Sequence, residues 1–199
     1  MNKEIEIKLF QPVFIKQVSE IFVKELSKAF SAKLGKFFLE ELYFPYFFND
    51  KKGIGFLAFE EDKVVGFILG SDNKGFYGSL LKKYPIKFLK ICFIALLKNP
   101  SFLFYIFKIS IISGMPLPIN LNLKVAELLY MAVDSNYQRQ QIGQKLLLKL
   151  EDALKKEKYN CCVVQTLIVT PQAQNFYMKQ QYMKIKEGYG RIWFVKNFV

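Results

Sequence analysis

Apolar and polar positions change their period several times along the chain, and each change marks an element. "IEIKLF" alternates with a period of two, as a half-buried strand does. In "PVFIKQVSEIFVKELSKAF" apolar residues recur three and four positions apart behind Pro12, a residue suited to the first turn of a helix. "LGKFFLEELYFPYFF" predicts a second helix, ended by Pro45 or soon after. "GIGFLAFEEDKVVGFILGSD" holds two β-rich runs around Glu61 and Asp62 and predicts a hairpin. Further on, "LKVAELLYMAV" predicts a strand and "QQIGQKLLLKLEDALKKEK" a helix with Ile142, Leu146, Leu150 and Leu154 as its buried stripe. "NCCVVQTLIV" predicts a central strand, "PQAQNFYMKQQ" a short helix, and "YMKIKEG" with "GRIWFVKNF" a closing hairpin.

Residues 77–118 interrupt this alternation. "PIKFLKICFIALL" and "PSFLFYIFKISII" predict two apolar helices, each opened by a proline. Lys98, Asn99, Pro100 and Lys108 break the uncharged runs, so neither helix reaches the length of a membrane span. The pattern predicts an antiparallel helical hairpin packed on the domain or lying against a membrane face. With 199 residues and no internal repeat or linker, the expectation is one domain over 1–199 carrying an insertion at 77–118.

Charge sharpens the picture of that insertion. The chain carries a net +12, which points to an anionic partner: a phosphorylated ligand, nucleic acid or a membrane face. Between Asp72 and Glu127 there is no acidic residue, while Lys74, Lys82, Lys83, Lys87, Lys90, Lys98, Lys108 and Lys124 all fall there. Nucleic acid is set aside, because the aromatics of this segment lie among aliphatics and not on an exposed stacking platform. Contact with anionic lipid through 82–112 and burial in a homodimer both stay open.

Composition narrows the chemistry. There is no histidine, and the three cysteines, Cys92, Cys161 and Cys162, form neither a disulfide framework nor a Cys-x-x-Cys pair. No metal site is expected, and proton transfer falls to Glu, Asp, Tyr, Lys, Cys or water. The N-terminal "MNKEIEIKLF" has no hydrophobic signal core, so a reducing, cytoplasmic location is expected, with membrane association if the insertion meets lipid.

One stretch joins pattern to chemistry. After the strand "AELLYMAVD" comes "YQRQQIGQKLL", a polar turn that opens directly into the apolar stripe of a helix. Strand, turn with free amides, then helix is a recurrent phosphate cradle. Gln138-Arg139-Gln140-Gln141-Ile142-Gly143, followed by Gln144 and Lys145, resembles the pyrophosphate loop Q/R-x-x-G-x-G/A of the GNAT superfamily of N-acetyltransferases. Gln141 stands where the first glycine is expected, and helical dihedrals are expected there. "TPQAQNFYMKQQY" is similar to the family's second motif, N-x-x-A-x-x-F-Y-x-x-x-G-F: Ala173, Phe176 and Tyr177 keep their spacing, Thr170 replaces the asparagine, and Gln181-Tyr182 replace Gly-Phe.

The resemblance spans nearly the whole chain apart from the insertion. It implies an α/β fold with a mixed, mostly antiparallel twisted sheet of about seven strands flanked by helices, the insertion lying between strands three and four. It implies acetyl-CoA as co-substrate, held by residues 138–145, Thr170 and Phe176, with the acyl arm against the strand amides of Met131, Ala132 and Val133. Tyr177 would be the general acid on the leaving thiolate. Glu127, in a strand resembling that of histone acetyltransferases, would be the base acting through water; the alternative is a strand-end carboxylate paired with a lysine such as Lys124. Cys161 and Cys162 are expected in the core, Glu60, Glu61 and Asp62 in a solvated turn, and Trp193 within the closing hairpin. The implied reaction is direct attack of a primary amine on acetyl-CoA, with an amino sugar or surface-polymer precursor as acceptor. A peptide or ribosomal-protein N-terminus, or a non-catalytic CoA-binding role, are the alternatives.

Overall fold

The computed structural model describes residues 4–49, 53–72, 76–98 and 123–198. Its strands are β1 (Ile5–Leu9), β2 (Gly53–Glu60), β3 (Lys63–Ser71), β4 (Val125–Val133), β5 (Cys161–Leu167), β6 (Met183–Gly188) and β7 (Arg191–Asn197). They form a seven-stranded sheet in the order β1-β2-β3-β4-β5-β7-β6. Every described pairing is antiparallel except β4 with β5. That parallel pair needs a crossover, which α7 (Ile142–Lys156) supplies.

The helices cover both faces. On one lie α1 (Ile15–Glu25), α2 (Phe30–Lys33), α3 (Gly35–Phe38), α4 (Phe44–Asn49), α5 (Phe76–Lys83) and α6 (Pro85–Lys98), around an aromatic core holding Phe22, Phe38, Tyr43, Phe44 and Phe67. On the other, α7 and α8 (Pro171–Lys179) pack on Ile68, Leu128, Val164 and Phe194. β3 is covered on both sides and buried at every position but its first, which is why it reads as an unbroken apolar run. The stripe Ile142, Leu146, Leu150 and Leu154 is buried as its spacing requires. Buried Glu151 takes Lys196 Nζ at 2.7 Å and ties α7 to β7.

Two features of β4 shape everything that follows. Its register against β3 shifts between Leu69, opposite Tyr130, and Gly70, opposite Leu128, so Leu129 is an extra residue in a β-bulge. Leu129 and Tyr130 therefore both turn towards the aromatic core. Its pairing with β5 runs only from Val125 opposite Cys161 to Leu128 opposite Val164. Beyond that, β4 continues to Val133 beside β3, while β5 continues to Leu167 beside β7. The two strands part, and the sheet opens at its centre.

Three details correct or add to the expectations from the sequence. The helix after Pro12 begins as a 3-10 turn, Pro12–Phe14, and α1 stops at Glu25, before the predicted end at Phe30. The second helix ends at Asn49, four residues beyond Pro45, and what the pattern did not show is the π-helical turn, Leu39–Tyr43, that precedes the proline. A proline has no N–H to give and crowds the carbonyl four residues back, and a widened turn relieves both problems. The insertion opens with α5, a helix the periodicity did not single out, before the predicted "PIKFLKICFIALL" forms α6. The second predicted helix, "PSFLFYIFKISII", lies outside the described residues. Among the described residues no helix is long and apolar enough to cross a membrane.

Candidate active site where two strands part

Leaving β4, Asp134 caps the short turn Ser135–Tyr137 by accepting from the Asn136 amide at 3.0 Å. Lys24 reaches Asp134 Oδ2 at 3.0 Å, and Glu25 accepts from the Ser135 amide at 2.9 Å. Burial pushes the Asp134 carboxyl up, but the Asn136 amide and the Lys24 ammonium outweigh it and hold its pKa below the usual value. The end of α1 thus pins the start of the loop. Gln138 donates its side-chain amide to the Val133 carbonyl at 3.0 Å and to Glu25 at 3.3 Å.

The chain then enters α7 through two left-handed residues, Arg139 (φ 62°) and Gln141 (φ 61°). Helical dihedrals at Gln141 are therefore not what the structure shows. The position calls for positive φ, the conformation that glycine adopts without cost, and this explains why the family motif has glycine there. Gln141 caps α7 with no side-chain hydrogen bond, and the first turn carries no acidic residue. The amides of Ile142, Gly143 and Gln144 lack intrahelical acceptors at the positive end of the helix dipole. A Cβ placed on Gly143 would meet only Phe176 at 3.7 Å and Met131 at 3.9 Å, so packing leaves room for a side chain there. Glycine at this position answers to something other than the protein's own core.

The gap between β4 and β5 also presents backbone. Asp134 N donates to Val65 O of β3 at 2.9 Å. Strand amides alternate between edges, so those of Met131 and Val133 face the opposite edge, where β5 has turned away. Ala132 sends its amide back towards β3. Phe176 stands beside Gly143 and Met131, while Tyr177 is buried against Phe176, Tyr182 and Phe194, at 5.2, 5.5 and 6.4 Å between ring centres. Burial pushes the Tyr177 phenol well above its ordinary value, so it holds its proton at neutral pH. Thr170 spends its hydroxyl proton on the Leu167 carbonyl at 2.7 Å, turning the chain into α8. Arg139, Gln140 and Lys145 are exposed around the loop.

On the sheet's other face, side chains gather. Glu127 accepts from Gln165 Nε2 at 2.9 Å, and Arg191 approaches Gln165 Oε1 at 3.4 Å. Burial lifts the Glu127 carboxyl to about 7, against the downward pull of Arg191 and Gln165. Lys124 is not its partner: that ammonium goes to the Glu157 carbonyl at 2.6 Å and lies 4.1 Å from the Tyr159 ring. Next to Glu127 the Tyr77 and Tyr130 hydroxyls meet at 2.7 Å, with Ser31 bonded to Tyr77. Tyr43 packs its ring 6.0 Å from Tyr130 and 6.1 Å from Tyr77. Burial first, then neighbouring charges that include Glu127, pushes the Tyr43 phenol up. Two buried donors here, the Tyr43 hydroxyl and Arg191 Nε, have no hydrogen-bond partner among the described residues. Buried polar atoms are normally paired, and such an exception marks a place for a ligand or water.

The fold agrees with a comparison to known proteins. Residues 16–182 match the model of the acetyltransferase (GNAT) family. The chain belongs to the GNAT acetyltransferase family. Among solved structures, the PaiA N-acetyltransferase of Thermoplasma acidophilum in complex with coenzyme A aligns with a TM-score of 0.63 at 16% identity, covering 98% of this chain and 99% of that one. A GNAT-family acetyltransferase of Staphylococcus aureus aligns with a TM-score of 0.61 at 17% identity, over 98% and 100% of the two chains. The ribosomal-protein-S18-alanine N-acetyltransferase of Escherichia coli aligns with a TM-score of 0.60 at 14% identity, over 98% and 94%. No curated protein matches the chain in sequence.

In this GNAT protein, the fold brings Met131, Gly143 and Phe176 to one place and sets Glu127 across the sheet from them. Sequence reading passed over Gln165, Arg191 and the tyrosines 43, 77 and 130. A signal existed for one: Gln165 is a lone amide in the mostly apolar "CCVVQTL", two residues beyond the register partner of Glu127. Tyr43, Tyr77 and Arg191 come from three distant segments, and nothing local marks them.

Proposed function

We propose that this protein transfers an acetyl group from acetyl-CoA to the primary amine of a small, oxygen-rich acceptor, an amino sugar or a related surface-polymer precursor. The observation that carries this reading is the half-buried Glu127, its carboxyl lifted to about 7, beside two donors that have no partner among the described residues, on the face opposite the loop. The residues fit acetyl-CoA: the uncapped amides of Ile142, Gly143 and Gln144 suit a pyrophosphate, Arg139 and Lys145 add positive charge, and the gap beside Met131–Val133 suits an extended acyl arm. Acetyl-CoA supplies the acyl group already activated as a thioester.

The chain's own groups then divide the work. Glu127 takes a proton from the incoming ammonium, directly or through water, and a pKa near 7 leaves it able both to accept and to release that proton. Gln165 orients the carboxylate, and Arg191 keeps its pKa from rising further. The Met131 amide is placed to stabilise negative charge developing on the acyl oxygen. Tyr177 holds the proton that the departing thiolate requires. No acyl-cysteine step is invoked: Cys161 and Cys162 are buried, and burial pushes the Cys162 thiol up to about 12.

The acceptor class follows from what Tyr43 and Arg191 lack. An amine flanked by hydroxyl or carbonyl oxygens would satisfy both donors, and an amino sugar does so while offering its ring to Tyr43 and Tyr130. The Escherichia coli neighbour is named for a ribosomal-protein alanine, which makes a peptide N-terminus the competing acceptor. Thiol release from acetyl-CoA, measured against amino sugars, peptides and simple alkylamines, tests the reading. Highest kcat/KM with amino sugars is expected. Preference for peptides would replace the acceptor, and tight CoA binding without turnover on any amine would replace catalysis with a binding role.

A further inference from the structure

Helix α6 carries apolar residues on two faces, and among the described residues only one of them is packed. Tyr84 ahead of it and Phe88, Ile91, Cys92, Ala95 and Leu96 along it pack on the aromatic core. The opposite face presents Ile86, Leu89, Phe93, Ile94 and Leu97 at exposures of 82, 65, 62, 40 and 70%. These positions follow one another by three, four, one and three residues, one continuous stripe along a helix of about 21 Å. A helix with two apolar faces is expected when both are covered.

The charge around the stripe identifies its cover. Lys90 lies four residues from both Ile86 and Ile94, within the stripe itself, and Lys82, Lys83 and Lys87 are exposed beside it. Lys87 is partly engaged, donating to the Glu41 carbonyl at 2.8 Å, and Lys83 lies over the Tyr46 and Tyr84 rings at 5.8 and 5.6 Å. From residue 73 to residue 126 the sequence holds no Asp or Glu, so this segment brings no counter-charge of its own. A second copy placed on the stripe would set like charges against like. An anionic bilayer offers what neither a copy nor the segment itself does: an apolar layer beneath a negative surface.

We infer that the outer face of α6, with Lys82, Lys83 and Lys90, docks peripherally on anionic lipid. The helix lies in the plane of the headgroups with Ile86, Leu89, Phe93 and Leu97 inserted and the lysines among the phosphates. α6 packs on the same aromatic core that supplies Tyr43 and Tyr77, so docking sets the acceptor face of the enzyme towards the membrane surface. The inference stands apart from acyl transfer and is tested without it.

The test is cosedimentation of the full chain with phosphatidylglycerol–phosphatidylcholine vesicles and with pure phosphatidylcholine vesicles, at low and high salt. Binding to the anionic vesicles alone, weakened about tenfold or more by high salt, is expected. Leu89→Gln with Phe93→Gln should abolish it, and Lys82→Gln with Lys83→Gln and Lys90→Gln should weaken it about tenfold, both with unchanged Tm and unchanged acetyl-CoA affinity. Absence of binding to either vesicle, or equal binding to both, overturns the inference. So does a fall in Tm of the Leu89/Phe93 variant, which would mean that the chain's own residues cover the face, or dissociation of a dimer by that variant in sedimentation velocity, which would mean that a second copy does.

Discussion

On the α7 side of the parted strands the chain offers backbone: amides of the loop and first helical turn, and amides of Met131 and Val133 facing the gap. On the other side it offers side chains: Glu127 and Tyr130 from β4, Gln165 from β5, Arg191 from β7, and Ser31, Tyr43 and Tyr77 from three further places in the chain. Backbone geometry tolerates sequence change, because an amide points the same way whichever residue carries it. That is how a loop with Gln141 in a glycine position keeps its shape. A pocket of side chains has no such tolerance, and it is where one member of a family differs from another. The two faces therefore differ in what a substitution does: on the first it should alter how tightly acetyl-CoA is held, and on the second how fast, and on what acceptor, the enzyme works.

The largest effect is expected from the proton donor on the α7 side. Tyr177→Phe should lower kcat about 100-fold while leaving CoA affinity nearly intact, since it removes a proton donor and keeps the ring that packs on Tyr182 and Phe194. Single-turnover rates set beside calorimetric CoA binding read the two quantities separately, and an unchanged chemical step would remove Tyr177 from the acid role. Glu127→Gln should lower kcat/KM at neutral pH by about 10- to 100-fold, with partial rescue at higher pH and loss of the inflection near 7. A pH profile identical to that of the unmodified enzyme would count against the base.

The backbone face should answer in affinity. Gly143→Asp puts a side chain and a negative charge at the proposed pyrophosphate site, and should weaken acetyl-CoA binding by at least ~2 kcal/mol, about 30-fold. Gly143→Ala is the sharper probe: it has room against Phe176 and Met131, so it should keep or raise Tm while still weakening acetyl-CoA. Equal affinity for acetyl-CoA in both variants would move the phosphate site elsewhere.

Stability separates the faces more gently. The Glu127 carboxyl titrates near 7 in the fold against 4.5 as its ordinary value. The folded state thus binds a proton that the unfolded chain has released, and stability from this group is complete below 4.5 and is lost as pH rises through 7. Glu127→Gln, which cannot ionise, should gain on the unmodified protein over that window by about 3 kcal/mol, read as a Tm difference that grows with pH. Gln141→Gly should raise stability by about 1 kcal/mol by relieving the left-handed conformation, with acetyl-CoA held at least as well.

What the residues determine alone is mostly local. Period-two and period-3.6 patterns placed all seven strands and the stripe of α7, because burial on one face of an element is written in its own spacing. The two family motifs marked the turn into α7 and the helix α8 for the same reason: each is a run of consecutive residues, legible as a run of consecutive letters. The widened turn ahead of Pro45 was not legible, because the cost of a proline depends on whether the helix can widen before it, and the turn Leu39–Tyr43 lies within a packed aromatic core. Gln141 misled because its dihedral is set by the angle at which β4 hands the chain to α7. The bulge at Leu129, the end of β4–β5 pairing at Leu128 and Val164, and the meeting of Glu127 with Gln165, Arg191 and the tyrosines were decided by the tertiary structure alone. Gln165 lies 38 positions from Glu127 and Tyr43 lies 84 from it, and the elevated pKa of Glu127 arises from burial, a property no residue has until the chain has closed around it.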